Sequence, residues 1–358
     1  MEDNTNNQED DPIDSNNVDD SSCIQDDYHS DDEDDGYYLL DKINFQQLKQ
    51  NYDVSMTVVN VDLNCDGHGG ESYFNGIDWK VDGDCIANNR HIKRLSIEFS
   101  GRCLGRHCGE KYILGEQGHN LPTKQQLQDF FSCIYRNCSI NTITIQSIFF
   151  ADEFAGGLLE GLAGHLSLKR LQIEYGRLRG VVCSALGHEK SKLKDLCLPN
   201  CEIHDEGLVA LCNGLVGNST LKKLCLSGND TITSVGWRAL STVLQHPNCK
   251  LVALDLNNNG INEDSANTLN SALCGLSSLK TLDLGWRQCA CQTLFNQLSL
   301  SSIENLNLES NLINDSELVA LSSINTLKSL GLKGVRRSTT PAGWSSFFVS
   351  YYKGMGFN

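Results

Sequence analysis

The chain has 358 residues, 40% of them hydrophobic, with a formal net charge of −16, so length and apolar content suffice for a sizeable core. The charge is uneven: residues 1–36 hold 15 acidic side chains and no Lys or Arg. Without those 15 of the 45, the rest carries 30 acidic against 29 basic residues, which argues against a basic nucleic-acid binder.

In chain order, residues 1–36 lack the apolar side chains that would offset their ordering entropy and are expected to form a disordered acidic tail. Such a tail either solubilises the protein or docks on a basic surface, its own or a partner's. Nothing at the amino terminus resembles a signal peptide, and no stretch approaches 18 apolar residues. The expected location is cytoplasmic or nuclear, without a membrane. Residues 37–52 are predicted as a short amphipathic helix, and 79–89 as a second helix. Between them Met56, Val59, Val61 and Asn64 form a worn copy of a pattern that becomes clear downstream, so 37–91 reads as a cap and degenerate repeat. The Gly-rich stretch 65–76 lacks the spelling of a phosphate loop.

The pattern is clearest in LKDLCLPNCEI, which places Leu193, Leu196, Leu198, Cys201 and Ile203 at positions 1, 4, 6, 9 and 11. LKKLCLSGNDT repeats it from Leu221, and LVALDLNNNGI from Leu251. Copies start at Ile92, Ile140, Leu168, Leu193, Leu221, Leu251, Leu279, Ile303 and Leu327, mostly 24 to 30 residues apart, and such a period decides the architecture. Positions 4 and 6 alternate as in a short strand, and position 9 lies where the chain leaves it, with an Asn or Cys to meet backbone groups. At Gly176 a glycine stands in that slot and is expected to tighten the turn. Helical spacing follows: Leu208, Leu211, Cys212 and Leu215, then Ala266, Leu269, Ala272 and Leu273. One strand and one helix cannot bury their own apolar faces, so the copies must stack.

This spelling, with a helix in each copy, resembles the leucine-rich repeats of the ribonuclease-inhibitor-like class, over roughly residues 56 to 345. The resemblance implies an α/β solenoid, a horseshoe of about nine to ten repeats with a parallel concave sheet and convex helices. The repeats are expected over 92–339, with an insertion near 100–122, and a capping helix over 340–358, where Trp344, Phe347, Phe348 and Tyr351 share a helical face.

Sixteen cysteines suggest a disulfide framework, but Cys201, Cys212 and Cys274 occupy core slots, so free thiols are expected. Cys103, Cys108, Cys133 and Cys138, with His107, raise a zinc site; their CxxxxC spacings depart from paired knuckles, and ordinary thiols are the expectation. Asn218 and Asn314, in NST and NDS triplets, read as polar loop residues. At position 9 of the Leu279 copy stands Arg287, so either Trp286 and Arg287 turn outward or Cys289 or Cys291 takes the slot.

Outward residues at positions 2, 3 and 5 line the concave face. Lys recurs at position 2 in six of nine copies, a broken basic rail. The expected partner-binding residues are Lys93, Arg94, Lys169, Arg170, Lys194, Lys222, Lys223, Asp255, Lys280, Asp283 and Trp286, the acidic ones partly neutralising the rail. No HExxH, GxSxG or Walker-type loop is present, and no cofactor is expected. The expected function is a monomeric, non-catalytic scaffold that binds a protein partner through the concave face and rim loops. A GTPase regulator resembling Ran GTPase-activating protein, built from similar repeats, is the alternative.

Overall fold

The structure, a computed structural model, describes residues 58–62, 79–98, 124–146, 164–176, 191–285, 292–299, 301–335 and 339–354, with a few single residues besides. The acidic segment 1–36, nearly all of 37–52, the Gly-rich stretch 65–76, the insertion 100–122, and Trp286, Arg287, Cys289 and Cys291 lie outside the described residues.

Among the described residues ten strands form one parallel sheet in sequential order. They are β1 (Val58–Asp62), β2 (Arg94–Glu98), β3 (Thr142–Gln146), β4 (Arg170–Glu174), β5 (Asp195–Cys197), β6 (Lys223–Cys225), β7 (Ala253–Asp255), β8 (Thr281–Asp283), β9 (Asn305–Asn307) and β10 (Ser329–Gly331). Alternation sets the register: Val59 and Val61 of the worn copy pair with Leu95 and Ile97, position 4 pairs onward to Leu330 and position 6 as far as Ile173. All nine repeat starts, Ile92 through Leu327, are buried, as are the position 4 and 6 side chains from β2 to β9.

The return path of most repeats is helical. The helices are α1 (Trp79–Asn88), α2 (Lys124–Arg136), α3 (Asp205–Leu215), α4 (Ser234–Leu244), α5 (Glu263–Gly275), α6 (Gln292–Leu298), α7 (Asp315–Leu321) and α8 (Pro341–Gly354). The stripe Leu208, Leu211, Cys212 and Leu215 of α3 is buried, and so is that of α5. Trp237 of α4 is wholly buried, and α4 stops at Leu244, just ahead of Pro247. The two repeats with 24-residue spacing carry the seven-residue helices α6 and α7. Strands pack about 4.8 Å apart and helices about 8–10 Å apart, so stacked copies curve with the sheet on the inside.

The turn after each strand departs from the expectation in one respect. The left-handed residue is at position 8, not 9: Tyr175, Asn200, Gly228, Asn258, Ser310 and Gly334 have φ of 56, 52, 69, 55, 57 and 71°. Gly176 has no positive φ; it makes room, since a Cβ there would lie 3.2 Å from Ile173 Cγ2 and 3.7 Å from Cys201 Sγ. Position 9 does the backbone satisfaction that its chemistry implied. Asn229 Oδ1 accepts from the Cys201 and Ile203 amides at 3.0 Å each, and its Nδ2 donates to the Leu198 and Leu226 carbonyls at 3.0 and 2.8 Å. Asn259 and Asn311 likewise donate to the position 6 carbonyls of the preceding repeats, Leu226 and Leu284. Cys201 performs the same task with its thiol, which donates to the Ile173 carbonyl at 3.0 Å.

A second ladder runs where helix returns to strand. Asn89, Asn137 and Asn218, each three residues before a repeat start, accept from two following amides at 2.7–3.1 Å. His165 holds the same place, its Nδ1 accepting from the Ser167 amide at 3.3 Å. Asn218 is thus a loop residue, as expected, and a buried one that forms the turn. Asn314, also in a loop as expected, is the N-cap of α7 and closes a capping box with Glu317. At the last repeat α8 packs on α7 through Phe347, while Phe348, grouped with it by helical spacing, is 47% exposed and stacks on Trp344.

Candidate functional site on the concave face

The strands present two outward rows, at positions 3 and 5, and the position 2 residues stand just ahead of them. Register aligns Arg94, Thr142, Arg170, Asp195, Lys223, Ala253, Thr281, Asn305 and Ser329 in the position 3 row. Within it Arg170 Nε pairs with Asp195 Oδ2 at 2.9 Å, so the Arg170 charge is partly met inside the sheet.

The position 5 row contains Cys197, Cys225, Asp255, Asp283 and Asn307. Asp255 and Asp283 were expected to neutralise the lysine rail from exposed positions; they are instead 1% and 5% exposed. Asp255 accepts from the Cys225 thiol at 3.1 Å and the Asn257 amide at 2.9 Å. Asp283 accepts from Asn257 Nδ2, Asn307 Nδ2 and the Gly285 amide at 3.2, 2.9 and 2.8 Å. Burial of a carboxylate demands such donors, and together they make a polar floor spanning β6 to β9.

The rail itself lies at the edge of the sheet. Position 2 is one residue before the strand, and its carbonyl takes two amides of the next repeat: Lys169 O accepts from Lys194 N and Asp195 N at 2.7 and 3.1 Å, and Lys194 O from Lys222 N and Lys223 N at 2.7 and 3.0 Å. Towards the carboxyl end the rail is paired. Glu304 Oε1 meets Lys280 Nζ at 3.2 Å and Glu304 Oε2 meets Lys328 Nζ at 2.6 Å. Hydrogen bonds from Lys328 and then Lys280 hold the Glu304 carboxyl below its usual range. Lys169 and Lys194 are exposed and Lys222 half-buried, and none of the three forms an ion pair among the described residues. Lys93 is set apart at β2, with Asn141 at position 2 of β3 between it and these three. Trp286 lies outside the described residues.

The candidate metal cysteines do not converge among the described residues. Cys138 is exposed, and Cys133 is buried in the seam between α1 and α2. There Arg136 Nη2 lies 2.5 Å from Asp84 Oδ1 and 3.0 Å from the Cys133 sulfur. Burial pushes the Cys133 thiol up, which disfavours the thiolate a metal needs. The nine described cysteines are free, and among the described residues no group of three or more His, Cys, Asp or Glu could hold a metal ion.

One recurring device escaped the sequence reading. Asp205, the first residue of α3, accepts from the amide and hydroxyl of Thr233, the N-cap of α4, at 2.8 and 2.5 Å, and from the Gly236 amide at 3.0 Å. Asp315 of α7 does the same to Thr340 before α8, at 2.7 and 2.6 Å. A Cβ at Gly236 or Gly343 would collide with the clasping aspartate. The signal was present as two TxxG spellings, TSVG and TPAG, each one repeat after an aspartate.

No family model matches the chain. It is 36% identical over 135 residues to mouse NACHT, LRR and PYD domains-containing protein 9C, a match covering 37% of this chain and 13% of the relative. Against pig ribonuclease inhibitor it is 26% identical over 207 residues, 56% of this chain and 44% of the inhibitor. The alignment with the inhibitor joins the strand–helix period and the position 9 ladder as the deciding observation. The chain has the leucine-rich repeat fold and is similar to the ribonuclease-inhibitor-like class. Each match spans less than half of the relative's length. The solved TLR13–ssRNA13 complex superposes on 81% of this leucine-rich repeat chain and 36% of its own, with 18% identity and a TM-score of 0.41. Among the described residues no helix is long and apolar enough to cross a membrane.

Proposed function

We propose that the protein is a non-catalytic scaffold that binds a protein partner through the concave face and its amino-terminal rim. The observation that carries this reading is the rim itself: Lys169, Lys194 and Lys222 stand one residue ahead of three consecutive strands without ion-pair partners among the described residues, beside Arg170 and Lys223, with Arg94 two strands further on. Lys93 and Lys280 extend the surface, and Asp255 and Asp283 serve it as a floor that keeps the central rows in place. The named function of the pig relative, inhibition of a ribonuclease, supports a protein as the class of ligand. Buried free thiols such as Cys85, Cys201 and Cys212 support a reducing compartment, cytoplasm or nucleus. A monomer is proposed.

The test is capture from native lysate with the full chain and with the full chain carrying K169E, K194E and K222E. Surface changes of this kind leave stability within roughly 0.5 kcal/mol per site, so both should melt within a few degrees of each other. The wild type should retain one or more proteins that the triple variant loses. Equal capture by both would remove the rim from the binding surface.

A further inference from the structure

The six-lysine rail is not uniform, and its uneven pairing narrows what fits it. Glu304 occupies Lys280 and Lys328. Lys169, Lys194 and Lys222 form no ion pair among the described residues. Lys192 and Lys250, both exposed, stand in the turns leading into β5 and β7 and are likewise without ion pairs among the described residues. Register places Lys169, Lys194 and Lys222 in line, one strand step or about 4.8 Å apart. A row of ammonium groups at this spacing suits an extended peptide bearing carboxylates at successive or alternate residues, which recur about every 3.4 or 6.8 Å.

We propose that residues 1–36 of this same chain are the occupant of that row. The segment holds 15 carboxylates and no basic side chain, ending in the run DDEDDG at 31–36. Residues 37–50 separate it from Asn51, whose Oδ1 accepts from the Arg90 amide ahead of β2 at 2.9 Å, and reach up to about 45 Å when extended. The row at β4 to β6 is three to five strand steps from β1, about 14–24 Å, so the tether is ample. A tethered ligand acts at an effective concentration in the millimolar range and needs only weak intrinsic affinity. The acidic segment therefore competes with any acidic partner in trans, and the proposal deepens the reading of the rim as a binding surface.

The experiment uses the full chain. A water-soluble carbodiimide, which joins carboxylates to amines in direct contact, is applied to an equal mixture of isotopically light and heavy protein. Light–light and heavy–heavy links from residues 1–36 to Lys169, Lys194 or Lys222 are expected. Mixed light–heavy links about twice as abundant as either unmixed kind, the ratio of random pairing, would mean that the segment docks on a second copy, and links confined to other lysines would overturn the site. The second measurement compares acetylation rates of the same lysines with those in a full chain whose 15 carboxylates in 1–36 are changed by Asp→Asn and Glu→Gln. Acetylation of Lys169, Lys194 and Lys222 should rise severalfold in the amide variant, Lys280 should not change, and 1 M salt should abolish the difference. Equal rates at low salt would overturn the proposal while leaving capture of a partner by the rim intact. Failure of that capture alone would leave the links standing.

Discussion

Asn229 satisfies two buried amides and three carbonyls, two of them buried, across two repeats. Alanine at this site strands those groups in the core, where each unmet group costs about 1–3 kcal/mol before relaxation. Asn229→Ala should therefore lower unfolding free energy by about 3 kcal/mol in a urea titration, and Asn229→Cys by less. Cys201 shows why: one thiol already serves the equivalent carbonyl. The neighbouring position 8 is a matter of backbone rather than side chain. Gly228 has φ of 69°, and a Cβ there would run into the Asn200 side chain; Gly260, at position 10 of the next copy, has φ of 59° and open space around it. Gly228→Ala should thus cost more than Gly260→Ala, which bears only the left-handed penalty of about 1–2 kcal/mol. Paired thermal melts of the two variants decide this. Position 9 was legible in the sequence because Asn and Cys recur there. Position 8 was not, because Tyr175, Asn200, Gly228, Asn258, Ser310 and Gly334 share a conformation without sharing a chemistry.

The helices are joined by few specific bonds, so the aspartate clasps matter to each helix more than to the whole. Asp315 fixes the start of α8, and bonds from the Thr340 hydroxyl and then its amide hold the Asp315 carboxyl below its usual range. A carboxyl with a lowered folded pKa adds stability that is present above its unfolded value near 3.8 and is lost as pH falls below it. Asp315→Ala should speed amide exchange throughout α8 while leaving α3 to α5 unchanged, and acidifying the wild type progressively below pH 3.8 should shift α8 in the same direction. Uniform acceleration along the chain would mean that α8 does not open separately. The helical stripes were legible from their own spacing. The clasps were not, because Asp205 and Thr233 are 28 residues apart and belong to different copies. Only the stacked structure brings them together. The same reason hid the roles of Asp255 and Asp283, whose donors Cys225, Asn257 and Asn307 come partly from adjacent strands.

At the scale of the whole molecule, stability should respond to pH through one titratable departure, among the described residues, from the asparagines of the helix-to-strand ladder. His165, 4% exposed, replaces the Asn used at Asn89, Asn137 and Asn218, and burial pushes its pKa down against a smaller opposing contribution from the Ile134 backbone. A neutral imidazole with Nδ1 as acceptor fits the Ser167 amide; the imidazolium does not. Its contribution is fully present above the unfolded value near 6.5 and declines as pH falls from there towards the lowered folded value. Wild type should lose unfolding free energy between pH 7.5 and 5.5, and His165→Asn, which restores the common ladder residue, should flatten that slope. An unchanged slope in the variant would assign the acid sensitivity elsewhere. The architecture itself was legible from nine starts and their intervals, because a repeated core position leaves the chain only one way to stack. The polarity of the rim was legible as a row of lysines, but which of them are already occupied depends on where Glu304 falls between Lys280 and Lys328.

Each described strand bonds only to its neighbours in chain order, and each packed pair of described helices is consecutive in the numbering α1 to α8. Mechanically, such a molecule is a row of springs in series, in which compliances add. A slight rotation at every junction, too small to disturb any one ladder bond, sums over ten strands to a change in the opening of the concave mouth. The protein can therefore tighten around or yield to an object held there by distributed elastic bending, with no hinge and no broken hydrogen bond.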